Sequence, residues 1–180
     1  MPHVDLLELP YFEGISIDSV VSLIDLMSPR RFAAGAVIMS EDDAATPPLY
    51  IATSGQVAIS KKRGDAPGER QLAELASPTL FGEIELFCQM PPVATVRTLT
   101  AVDTFTLTRP TFETLFAAQH PGLMLFTFNV ARVACHRLAV ADAMLATVMA
   151  PEDLVALRRA VFARMGRASD VPRMTGQLGG

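Results

Sequence analysis

Between Arg31 and Arg109 the chain is cut into short apolar runs that turn residues keep ending. Ala36-Val37-Ile38-Met39 follows Phe32 across Gly35. Leu49-Tyr50-Ile51-Ala52 and Gln56-Val57-Ala58-Ile59-Ser60 flank Ser54-Gly55. A polar run over 61–69 precedes Gln71-Leu72-Ala73-Glu74-Leu75, and residues 93–99 and 104–108 complete the set. Runs of this kind, bounded by Gly, Pro, Ser and Asp, read as strands. About eight of them at close spacing predict an all-β layer structure, a roll, jelly roll or barrel.

Helical periodicity frames this region on both sides. Residues 5–9 and 16–28 are predicted helical, with Ser16 and Asp18 as caps. Val20, Leu23, Ile24 and Met27 line one face of the second helix, and Pro29 stops it. After Arg109-Pro110 a helix is expected over 111–119, a break at His120-Pro121-Gly122, and a long helix over 123–149. Pro151 opens a last helix, with Glu152 and Asp153 at its positive end and Arg158, Arg159 and Arg164 towards its negative end. Residues 1–149 are therefore expected to form one domain that includes the long helix. Residues 150–166 would be an appended helix, and 167–180 a disordered tail.

A net charge of −4 argues against a general nucleic-acid binder, which needs clustered Lys and Arg. The last 30 residues are weakly basic, with five Arg against three acids, which reads as a solvated face. Cys88 and Cys135 give neither a disulfide framework nor a metal pattern, and His3, His120 and His136 match no ligand spacing. The start Met1-Pro2-His3-Val4-Asp5 lacks the basic and apolar regions of a signal peptide. The apolar stretch 123–150 carries Asn129, Arg132, His136, Arg137 and Asp142, so a buried or paired helix is expected in place of a membrane span. A cytoplasmic location follows as an expectation. Ala- and Arg-rich usage points to a GC-rich bacterial genome. No nucleophile, base or paired-carboxylate pattern recommends an enzyme.

Several landmarks stand in order along the chain. Phe32-Ala33-Ala34-Gly35-Ala36-Val37-Ile38 is followed by Leu49-Tyr50-Ile51-Ala52-Thr53-Ser54-Gly55-Gln56-Val57. Phe81-Gly82-Glu83-Ile84-Glu85-Leu86-Phe87 comes next, and then Pro91-Pro92-Val93-Ala94-Thr95. Together they resemble a cyclic-nucleotide-binding domain over about residues 5–149. The resemblance implies a mainly β fold: an eight-stranded antiparallel β-roll with N-terminal helices, a long C-terminal helix and here one further helix.

In that family the Phe-Gly-Glu stretch and the following Pro-Arg-Ala-Ala-Thr form a phosphate-binding cassette. The resemblance assigns ribose contact to Glu83 and backbone amides to Gly82, Ile84 and Glu85. The loop and strand positions are Pro92, Val93 and Ala94. Glu83 reads equally as a loop acid bonded to backbone. The arginine that would hold the cyclic phosphate is replaced by Pro92, which has neither charge nor amide. Arg97 is the nearest substitute cation, although its position generally faces outward. The base-reading region of the long helix falls near Arg137-Leu138-Ala139-Val140, where Leu138 and Ala139 cannot donate to a purine. Too few residues follow Met149 for a winged helix, so direct DNA binding is not expected.

Two functional readings follow. The first is a signalling module with a degenerate cassette that acts through a homodimer or an unidentified partner protein. The second is a working sensor of cAMP, cGMP or a cyclic dinucleotide. The first expects the pocket to be filled by its own side chains, with Phe87, Met90 or the last helix as candidates. The expected dimer stripe of the long helix comprises Phe126, Val130, Val133, Arg137, Val140 and Met144, with Arg137 set against Asp142. In a monomer, residues 152–165 would instead cover the second stripe.

Overall fold

A computed structural model describes residues 5–64 and 67–165 of the protein. Two 3-10 turns, Asp5–Glu8 and Pro10–Phe12, lead into α1 (Ile17–Asp25). Ser16 caps α1 by accepting from the Ser19 amide. The strands are β1 (Ser28–Phe32), β2 (Val37–Met39), β3 (Leu49–Ser54), β4 (Gln56–Lys62), β5 (Glu69–Ala76), β6 (Thr79–Phe81), β7 (Thr95–Thr98) and β8 (Val102–Leu107). A short helix, α2 (Glu83–Cys88), interrupts them between β6 and β7. The chain continues through α3 (Arg109–Ala117), α4 (Pro121–Val148) and α5 (Pro151–Met165). The expected disordered tail and the Met1-Pro2-His3-Val4 start lie outside the described residues.

The strands form two four-stranded antiparallel sheets, in the orders β1-β8-β3-β6 and β2-β7-β4-β5. The core between them is built from Met39, Tyr50, Ala52, Val57, Phe81, Val96 and Val102, with Phe32, Ile38, Ile59 and Leu75 packed against it. Strand alternation supplies these inward residues from both sheets. The mainly β roll with flanking helices is therefore the observed fold.

Around β1 and β6 the fold differs from what the sequence predicts, and α4 begins at Pro121, inside the break expected at His120-Pro121-Gly122. The helix expected to reach residue 28 ends at Asp25, and Ser28–Phe32 is a strand pairing with β8. Pro29 lies opposite Phe105 in that strand, which is an edge of its sheet, where a missing N–H is tolerated. Strand β6 was not foreseen: it has three residues and follows Pro78 directly.

The chain divides into two compact units after Asn129. In the first, α4 begins as a core element. Leu123 and Phe126 are fully buried, and the Phe126 ring lies 5.3 Å from that of Phe12. Buried Asn129 donates through Nδ2 to the carbonyls of Tyr11 (3.2 Å) and Glu13 (2.8 Å). Asn129→Ala removes both donations, and a loss of about 1–3 kcal/mol in chemical denaturation is expected. An unchanged midpoint would show that the two carbonyls do not depend on it. Pro121–Val148 is long and apolar enough to cross a membrane by composition. Its apolar start is accounted for by this burial. Phe126, expected on a dimer stripe, is thus a core residue of its own chain, and Val130 is buried as well.

In the second unit, Arg158 of α5 pairs with Asp142 of α4 at 3.2 Å. Asp142, suggested as a seam partner for Arg137, therefore carries an ion pair with α5. Val140, Met144, Leu138 and Val148 are exposed, as is Arg137, while Val133 is half-buried.

Candidate functional site: the cassette around α2

The cassette starts where β6 ends. Phe81 is buried and its ring stacks on Tyr50 at 5.2 Å. Burial raises the Tyr50 hydroxyl above its usual pKa, with Arg30 opposing and Asp43 reinforcing the shift. Gly82 then caps α2 at φ 83°, a left-handed conformation that glycine adopts without strain. A Cβ there would sit 2.6 Å from the Pro48 carbonyl oxygen, so the position also demands the smallest residue for space. The Leu86 amide closes the first helical bond onto the Gly82 carbonyl at 3.1 Å.

The side chains of α2 diverge. Ile84 is exposed, Glu83 half-buried, and Glu85 and Leu86 are buried. Phe87, expected as a pocket filler, packs edge-on against Phe112 of α3 at 5.4 Å. Arg109 fastens the end of α2 by donating to the Leu86 carbonyl (2.8 Å) and pairing with Glu113 (2.7 Å). These contacts hold Phe87 towards α3.

The returning loop runs through Pro91, Pro92 and Val93. Pro92 is buried, so the expected arginine position holds a ring without charge or N–H. Val93 is held at both ends of its residue. Its amide donates to Glu85 Oε1 at 2.9 Å, and its carbonyl accepts from Lys61 Nζ at 2.6 Å. Lys61 also lies 3.4 Å from Glu41 Oε1. Glu41 in turn accepts from the Lys62 amide at 2.6 Å and donates its own amide to Thr95 Oγ1 at 3.3 Å. Ala94 and Thr95 are buried where β7 begins.

Arg97 does not join this group. Val96 faces the core, so its neighbour Arg97 points to the opposite face of β7. Arg97 is exposed and donates to the Gly35 carbonyl at 3.2 Å. The cation beside the loop is instead Lys61. In the sequence Lys61 stands in a polar turn run over 61–69 that nothing ties to the loop. Its only sequence signal was its place at the end of a strand run, 32 residues before its partner. The Glu85 side chain is likewise unmarked in the sequence, where the resemblance assigns a role to its amide alone. The open clefts beside α1, lined by Asp18, Ser22 and Leu26, and by Leu26, Pro110 and Thr114, include none of the cassette residues.

The potassium channel AKT1 of Oryza sativa subsp. indica is 30% identical to this chain over 101 residues. That alignment takes in 56% of this chain and 10% of the channel, so the chain spans about a tenth of that curated relative. Among solved structures, the catabolite activator protein of Thermus thermophilus aligns with a TM-score of 0.70 at 26% identity, covering 78% of this chain and 63% of that one. The regulatory subunit of a cAMP-independent protein kinase A from Trypanosoma brucei shares the fold, with a TM-score of 0.61 at 24% identity, covering 73% of this chain and 45% of that one. That structure is a triple-substitution form bound to cAMP in its A site. The sequence profile of the cyclic nucleotide-binding domain matches residues 29–119, just over half of the chain and all eight strands bar the first residue of β1. On that match, with the roll and the cassette in their expected order, the chain belongs to the cyclic nucleotide-binding domain family.

Proposed function

We propose that this chain is a regulatory module whose cassette is not adapted to a cyclic phosphate. It works in the cytoplasm, without an enzymatic activity of its own, through a homodimer of α4 or through a partner protein. The observation that carries the reading is buried Pro92 in the arginine position, with Arg97 on the outer face of β7. Loss of a buried charge-assisted contact weakens binding by about 2–5 kcal/mol, or roughly 30-fold to several-thousand-fold. The exposed apolar side chains Leu138, Met144 and Val148 offer a surface for a second helix.

The Trypanosoma brucei subunit supports the reading through its substitutions. Its cAMP-bound form replaces a glutamate by alanine, a threonine seven residues on by arginine, and the valine after that by alanine. Glu85, Pro92 and Val93 stand at the same spacing here, with the same glutamate and valine.

A sensor of cAMP, cGMP or a cyclic dinucleotide is the second reading. It is favoured by Lys61, a cation at the cassette loop that is half-exposed and lies 2.6 Å from the Val93 carbonyl. Isothermal titration of the whole chain with cAMP and with cGMP separates the two. The expected result is no heat at ligand concentrations up to about 1 mM. Binding at micromolar affinity would replace the first reading by the second.

A further inference from the structure

We propose that Glu85 supplies the cassette with an anion of its own, which takes the Val93 amide and keeps an anionic ligand out. The inference rests on the reading that the cassette does not hold a cyclic phosphate, and it adds a second, separate cause. Glu85 is 2% exposed, and a carboxylate so far from solvent needs a donor. Its Oε1 has one in the Val93 N–H at 2.9 Å. Pro91 and Pro92 carry no N–H, so Val93 is the first residue of the returning loop with an amide to offer an anion. The carboxylate of α2 has already taken it.

The rest of the loop keeps this arrangement fixed. Lys61 donates to the Val93 carbonyl and lies 3.4 Å from Glu41 Oε1, so this cation is already engaged by another carboxylate. A second anion brought to the Val93 amide would face Glu85. At about 4 Å, and with the screening typical near a protein surface, such a like-charge pair weakens binding by about a thousandfold. Inserting an arginine at position 92 alone does not remove the carboxylate. The new guanidinium would have a carboxylate acceptor beside it and would pair with it, since charged forks favour carboxylates.

The test compares cAMP titrations of wild type, Pro92→Arg and Glu85→Ala/Pro92→Arg, all as full chains, with thermal melts to show that each is folded. The expected result is silence in wild type and binding by the double variant at least 100-fold tighter than by Pro92→Arg. Should the double variant fail to melt cooperatively, Glu85→Gln/Pro92→Arg takes its place: it removes the charge but keeps an acceptor for the Val93 amide, and it is expected to bind less tightly than the alanine form would but still at least about 10-fold tighter than Pro92→Arg. Equal affinity for Pro92→Arg and the double variant overturns the inference while leaving the proposed function standing. A folded double variant that stays silent also overturns the inference. Micromolar binding by wild type overturns both.

Discussion

Gly55→Ala is expected to lower the melting temperature by about 10 °C, since an added Cβ there makes the closest approach found among the described glycines. Gly55 turns the chain from β3 into β4 at φ +84°. An L-residue held left-handed costs about 1–2 kcal/mol. The added Cβ would also lie 2.2 Å from the Ala101 carbonyl oxygen, 2.8 Å from Thr100 Oγ1 and 2.9 Å from Val102 Cγ2. The nearest of these atoms is backbone, so the turn between β7 and β8 must move. That turn is tied to the same place, with the Leu99 amide donating to the Gln56 carbonyl at 2.8 Å. The two costs together come to about 3–5 kcal/mol. Gly35→Ala is the control: φ is +79° but nothing lies within 4 Å of the added methyl. It should lose only the conformational part. Equal losses at the two positions would show that the close approach of the two turns does not matter.

Phe126→Ala should cost a similar amount, about 3–5 kcal/mol, by emptying a fully buried aromatic site. Its ring meets Phe12 at 5.3 Å with the planes tilted by 40°. A double-mutant cycle with Phe12→Ala should therefore be non-additive by about 0.5–1.5 kcal/mol. The same variant separates core from interface. In sedimentation, Phe126→Ala should leave the oligomeric state unchanged, while Met144→Glu, on the exposed part of α4, should convert the proposed homodimer to monomer. A Phe126→Ala protein of normal stability that falls apart into monomers would return Phe126 to the seam.

Much of this protein is local information and stands plainly in its sequence. The strand runs, the Gly35 and Ser54-Gly55 turns, and the caps and proline breaks of the helices each depend on a few adjacent residues. The roll could be read from them. Even there the signal has a length limit: β6 has three residues and follows Pro78 directly, which is too few for an alternation to show. At Ser28–Phe32 a proline that reads as a helix stop proved to sit in an edge strand, because edge pairing depends on which strand is a neighbour and which is not.

The cassette divides along the same line. Its place in the chain, the glycine at its start and the two prolines of its returning loop are properties of residue identity, and the sequence by itself determined them. Which side chains face inward is a property of how separate segments meet. On the periodicity of α4 alone, Phe126 fits a dimer stripe as well as a core. Only the arrival of Phe12, 114 residues earlier, decided for the core. Glu85 reads as an ordinary acid near the start of a helix until the loop through Pro91 and Pro92 brings the Val93 amide to it. Lys61 reads as a turn residue until β4 lies beside that loop. Hydrogen bonds act over about 3 Å, so their partners are fixed only once the tertiary structure has placed them, whatever the distance along the chain.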